Sequence, residues 1–246
     1  MIQKFQMAIE KIRELEKHDR YVGAYIFGSV ARGDEHDKSD LDVQVIVNDA
    51  GCHNISHPYI NGIKLDIKFH SIEQEAALMK ERLKMFERVP MVAESIIVFD
   101  KTGELTALKK QYLKEKPRSY KKADHQFVRF MAYFLSETIR EQIEQDSAVA
   151  QLGMHLDLME LLQHHYRIQK HWWLPTKQVF PDLASWDKPL AKLLRKFLEE
   201  PDVAKKYTVW MQMVHYILKP IGGWQEVGDN ICDCRNCSSA LAVLRG

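Results

Sequence analysis

The stretch Phe27-Gly28-Ser29-Val30-Ala31-Arg32-Gly33, followed by Ser39-Asp40-Leu41-Asp42-Val43-Gln44-Val45-Ile46-Val47, decides the reading of this chain. The residues before it, Tyr21 to Phe27, are apolar and aromatic, as a buried strand requires. Gly28-Ser29 breaks that strand. Gly28 has no side chain, so another group can approach its backbone closely. Ser29 suits a helix N-cap, and its hydroxyl can donate to an anion. A short helix opening at Val30 would aim free N–H groups at the same place. Gly33 ends the turn.

From Asp40 to Val47 the residues alternate. Leu41, Val43, Val45 and Val47 are expected on one face, with Asp40, Asp42 and Gln44 on the other. The two aspartates then stand about 7 Å apart along one strand. Two close carboxylates repel, by roughly 4 kcal/mol at about 4 Å and an effective dielectric of about 20. A divalent cation removes that cost, and Mg²⁺ is commonly held by one or two carboxylates plus substrate phosphates. Downstream, Asn61-Gly62 signals a turn, and Ile63 to Phe69 alternates again. Ile63, Leu65, Ile67 and Phe69 form its apolar face; Lys64, Asp66 and Lys68 form its polar face. If this strand pairs with the first, Asp66 joins Asp40 and Asp42, as a further metal ligand or as a base for an attacking hydroxyl.

With Gly28-Ser29, Arg32-Gly33, Ser39-Asp40-Leu41-Asp42 and Leu65-Asp66-Ile67 in this order, the sequence resembles the nucleotidyltransferase superfamily that includes polymerase beta. Within it the chain is most similar to the bacterial aminoglycoside and lincosamide nucleotidyltransferases. The resemblance spans about the first 118 residues. It implies a nucleoside triphosphate, ATP first among them, held at Gly28, Ser29, Arg32 and Ser39. It also implies Mg²⁺ on Asp40 and Asp42, and Asp66 as third ligand or base. The reaction implied is transfer of a nucleoside monophosphate to a hydroxyl of a small acceptor, with an aminoglycoside or lincosamide antibiotic as the example. Two other readings stay open: a toxin-type member acting on RNA or protein, and a nucleotide-binding regulator without turnover.

The 246 residues carry 35 Lys and Arg against 34 Asp and Glu, a formal net charge of +1. A chain so nearly neutral gives no reason to expect nucleic acid or an anionic membrane as partner. The N-terminus is charged throughout, with Ile2, Phe5, Ile9, Ile12 and Leu15 at helical spacing, so it reads as an amphipathic helix rather than a signal peptide. No apolar run approaches the ~20 residues of a membrane span. Four cysteines without framework spacing point to a cytosolic protein.

The expected fold is α+β. A small mixed sheet with flanking helices occupies residues 1–118, and an α-helical bundle occupies 119–246. Ser71 is expected to cap a helix running to Arg88, and Ser95 to Phe99 to form a fourth strand. In the second half the expected core stripes are Phe127, Phe130, Met131, Phe134, Leu135, Thr138 and Ile139, and Leu152, Leu156, Met159, Leu162 and Tyr166.

Further groups bear chemistry. Lys177, after Trp172-Trp173-Leu174-Pro175, is a candidate point charge for the triphosphate or a plain surface lysine. Glu137, Glu141 and Glu144 form an acidic helix face, ordinarily solvated, able to receive a cationic acceptor. Residues 109–122 are basic, as a solvated linker or as a rim near phosphates. Cys52, His53 and His57, and separately Cys232, Cys234 and Cys237, are weak zinc patterns that read first as polar loop and reduced thiols.

Overall fold

The computed structural model describes residues 3–49, 56–89, 94–224 and 243. The chain divides into two compact units, Met1–Lys116 and Pro117–Gly246. The first carries β1 (Tyr21–Phe27), β2 (Leu41–Val47), β3 (Tyr59–Ile60), β4 (Ile63–His70) and β5 (Ile96–Asp100) in one sheet, ordered β3-β4-β2-β1-β5. The β2/β4 pair is parallel; β1 runs antiparallel to both β2 and β5, and β3 to β4. This is the mixed sheet of an α+β fold. The two-residue β3 was not foreseen, because so short a strand has no period to read.

Both faces of the sheet are covered. On one, α1 (Gln3–Arg13) lays Phe5, Ala8, Ile9 and Ile12 against Ala24, Ile26, Leu41, Val43, Val45 and Leu65. Burying each large side chain in such a core contributes about 1.5–3 kcal/mol. On the other face, Tyr25, Phe27 and Ile46 pack with Leu105 of α4 (Glu104–Tyr112) and Ile72 of α3 (Ile72–Lys84). Gln44, expected on a polar face, is therefore fully buried there. Its side-chain amide donates to the Lys68 carbonyl at 3.1 Å.

Ser71 caps α3 as expected. Its hydroxyl accepts from Gln74 N–H, and the Gln74 side chain accepts from Ser71 N–H at 2.8 Å, closing a capping box. The helix ends at Lys84, four residues before Arg88, and the backbone of Phe86 turns left-handed at φ 60°. Ser71→Ala is expected to cost about 1 kcal/mol, lowering the first unit's melting temperature by about 4–8 °C on the scale of a small domain. A thermal melt of the variant checks it.

The second unit is helical: α5 (Asp124–Gln145), α6 (Ser147–Ile168), α7 (Thr176–Trp186), α8 (Lys188–Glu199) and α9 (Val203–Leu218). Two expected stripes are rotated. On α5 the buried face is Val128, Ala132, Ser136 and Ile139, while Phe127 and Phe134 are exposed. On α6 it includes Met154, Leu158, Leu161 and Leu162, while Leu152 and Leu156 are exposed. Ser136 earns its place in the core: its hydroxyl accepts from Trp210 Nε1 at 3.0 Å and donates to the Ala132 carbonyl at 2.7 Å.

Burial pushes the imidazoles of His164 and His165 below their ordinary range. At His165 it outweighs the Asp187 carboxylate 2.8 Å from Nε2. Unfolded, both would titrate near about 6.5. Below that pH the unfolded chain takes up protons that the folded unit resists. Stability is thus expected to be untouched by these groups above about pH 7 and to fall as the pH drops from about 6.5. Melts from pH 7.5 to 5.5 should show a smaller acid loss in His164→Gln than in the parent.

Candidate active site

The site forms where β1 ends, β2 begins and β4 runs alongside. Backbone register puts Phe27 opposite Asp42, and Asp42 opposite Asp66. Paired residues share a face, so both carboxylates rise from the face that α3 and α4 cover elsewhere. Asp40 lies just before β2, outside the ladder and half-buried.

Gly28 follows Phe27 with φ +71°, a left-handed backbone. A Cβ at this position would fall 1.9 Å from Asp42 Oδ2. The glycine therefore makes room for the Asp42 carboxylate itself. The short helix α2 (Gly28–Arg32) starts directly after β1, two residues before Val30. Ser29 is inside it and Phe27 holds the N-cap position, so Ser29 is not the cap that was expected. The Ser29 carbonyl accepts from Gly33 N–H at 2.9 Å and Asp34 N–H at 3.1 Å, and Gly33 closes the helix at φ 79°.

Asp66 stands between a lysine and a histidine. Lys68 Nζ is 3.7 Å from its Oδ2, and His57 Nδ1 is 3.9 Å from its Oδ1. His57 is brought there by the bridge between Ser56 and Ile67. The Asp66 Oδ1 atom is sealed from solvent and has no hydrogen-bond partner among the described residues.

Residues 10–100 match the family model described as "Polymerase beta, Nucleotidyltransferase". The first unit carries a nucleotidyltransferase-type domain. Among solved structures, the chain is similar to a nucleotidyltransferase-like protein from Exiguobacterium sibiricum 255-15 at 16% identity and a TM-score of 0.45, over 88% of this chain and 74% of that one. A toxin-antitoxin structure with AMP-PNP is similar at 15% identity and a TM-score of 0.27, over 43% of this chain and 83% of that one. No curated protein matches the chain.

Around the carboxylates of this nucleotidyltransferase domain, the other expected nucleotide ligands are engaged with protein. Arg32 bonds Asp34 through Nε and NH2, both at 3.2 Å, and its NH1 is 3.6 Å from Glu94. Arg88 holds the same Glu94 at 2.8 Å. The Ser39 hydroxyl accepts from His36 N–H at 2.9 Å, and Ser39 N–H donates back to the His36 carbonyl, fixing the turn before Asp40. Lys177 belongs to the second unit, exposed in the first turn of α7. There Glu137 pairs with Arg140 on its own helix. Cys52, His53, Cys232, Cys234 and Cys237 lie outside the described residues.

The sequence reading missed a buried network beside the site. Tyr25 OH donates to Glu75 Oε1 at 2.6 Å, and His70 Nδ1 lies 3.0 Å from Glu75 Oε2. Glu75 is almost wholly buried, so it depends on these partners. Burial, and then Glu75, push the Tyr25 phenol well up. The signal available in sequence was a carboxylate in α3 at the position that faces the sheet, four residues after the Ser71 cap. His70 is only five residues away, but nothing local named Tyr25, which is fifty residues away.

Do these residues suit a divalent cation? Among the described residues, no three Asp, Glu, His or Cys side chains gather closely enough to hold one. Asp42 and Asp66 are paired in register on one face, and Asp66 Oδ1 is buried with no hydrogen-bond partner among the described residues. That donor set fits a hard cation whose remaining ligands come from phosphate and water.

Proposed function

We propose that the first unit transfers a nucleoside monophosphate, AMP from ATP in the leading case, to a hydroxyl of a small acceptor, such as an aminoglycoside or lincosamide. One observation carries the reading: Asp42 and Asp66 are side by side in register, and Asp42 is packed against the glycine whose missing side chain makes room for it. The match of residues 10–100 to the nucleotidyltransferase family model supports it.

Asp42 and Asp66 would hold Mg²⁺, with its remaining ligands supplied by phosphate and water. Mg²⁺ bound there supplies charge neutralisation for the triphosphate and the departing pyrophosphate. The chain's own residues position. The turn from Gly28 to Gly33 receives the phosphates. Asp66 would take the proton of the acceptor hydroxyl. The fixed sheet keeps these groups in place, which is how most of the rate in phosphoryl transfer arises.

The test is pyrophosphate release with Mg²⁺ and each nucleoside triphosphate, across a panel of aminoglycosides and lincosamides. Acceptor-dependent release with one triphosphate supports the reading. Binding of triphosphate with no release for any hydroxylated acceptor would instead favour a regulator.

A further inference from the structure

We infer that Lys68 is a resident counter-ion of the carboxylate site, occupying through its ammonium the charge position that a divalent cation must take over. The inference rests on the proposed role of Asp42 and Asp66.

Lys68 lies two residues after Asp66 on β4, so both side chains leave the same face. Its own register partner is Gln44, whose neighbour on β1 is Tyr25. The ammonium does not stay over that row. It reaches 3.7 Å from Asp66 Oδ2 and 5.7 Å from the centre of the Phe27 ring. Phe27, Asp42 and Asp66 are one row across the sheet. The side chain therefore leans one step along the strand, toward the carboxylates.

The neighbouring polar groups are committed elsewhere. Gln44 bonds the Lys68 carbonyl, His70 and Tyr25 bond Glu75, and Arg32 is held by Asp34 and Glu94. Lys68 is three-quarters buried, so solvent screens its pairing with Asp66 incompletely. Its ring contact adds a second hold. A fixed positive charge this close opposes a second cation at the same oxygens. Like charges a few ångströms apart in a partly buried site repel by an energy worth about tenfold or more in a binding constant. Lys68 would thus set a threshold: the site takes up its metal readily only when triphosphate oxygens supply further negative charge.

The experiment is a Mn²⁺ titration of the full chain without nucleotide, followed by calorimetry or by loss of the free-ion electron-spin signal. Lys68→Met is expected to bind Mn²⁺ about tenfold tighter than the parent, Lys68→Arg to stay near the parent, and Asp42→Asn combined with Lys68→Met to lose the gain. Equal or weaker binding in Lys68→Met overturns the inference. If Mn²⁺ still binds the parent in an Asp42-dependent way, only the role of Lys68 falls. If no variant binds Mn²⁺ even with ATP added, the carboxylate site itself falls with it. Weaker ATP binding in Lys68→Met, with Mn²⁺ affinity unchanged, makes Lys68 a phosphate ligand and also overturns the inference.

Discussion

Replacing Asp42 by asparagine is expected to lower nucleotidyl transfer by about a hundredfold or more, the scale seen when one preorganised charge-stabilising group is removed from an active site. The melting temperature should move by about 2 °C or less, as for a change that preserves packing. Asparagine keeps the shape of the side chain, and Asp42 is only half-buried at the start of β2. What is lost is the negative charge beside Asp66. A neutral amide neither repels Asp66 nor helps to hold a dication against it. Asp66→Asn should behave alike in turnover. It also deprives Lys68 of its ion pair with Asp66. Pyrophosphate release and thermal melts of parent and variants decide the matter. Near-parental turnover in Asp42→Asn would end the proposed mechanism, whatever the acceptor.

The strands were legible because half-buried strands print a period of two. Leu41, Val43, Val45 and Leu65 are all fully buried against α1, so Asp42 and Asp66 had to leave the opposite face. The pairing of β2 with β4 was conditional in the sequence, since alternation fixes a face but not a register. Lys68 shows the same limit at a finer scale. Alternation puts it beside Asp66, but whether its long stem leans toward Asp66 or toward Gln44 depends on Phe27, more than forty residues upstream. Arg32 and Ser39 illustrate the converse. Their residue types suit phosphate, yet Asp34, Glu94 and His36 engage them in the fold.

The helices were legible as helices and less so in orientation. On α5 and α6 the apolar residues spread around more than one side. A stripe drawn through the largest ones picks Phe127, Phe134, Leu152 and Leu156, which are exposed. The core instead takes smaller or less obvious residues, Ala132, Ser136, Met154 and Leu158. Trp210 explains the choice at Ser136: the bulky indole fills the space and its N–H needs an acceptor. Periodicity records hydrophobicity, whereas the packed face also records volume and hydrogen bonding.

Gly28→Ala should be the more damaging change to the architecture of the site, and its cost should depend on Asp42. Two effects add. Alanine at φ +71° pays the left-handed penalty of about 1–2 kcal/mol. Its Cβ also meets Asp42 Oδ2 at 1.9 Å, so the carboxylate or the turn must shift. The first effect is local to the backbone and indifferent to Asp42. The second vanishes when Asp42 is truncated, because the remaining Asp42 Cβ would lie 3.4 Å away, an ordinary contact. A double-mutant cycle separates them. In the Asp42→Ala background, Gly28→Ala is expected to cost only the backbone part, with a coupling of about 1–2 kcal/mol between the two sites, as groups in contact show. Urea unfolding of the four proteins gives the number. An equal cost in both backgrounds would mean that Gly28 serves the backbone alone. A coupling of the expected size would show why a glycine ends β1 here: the group that comes closest to it is a carboxylate of the adjacent strand, and the turn and the acidic pair are built as one piece.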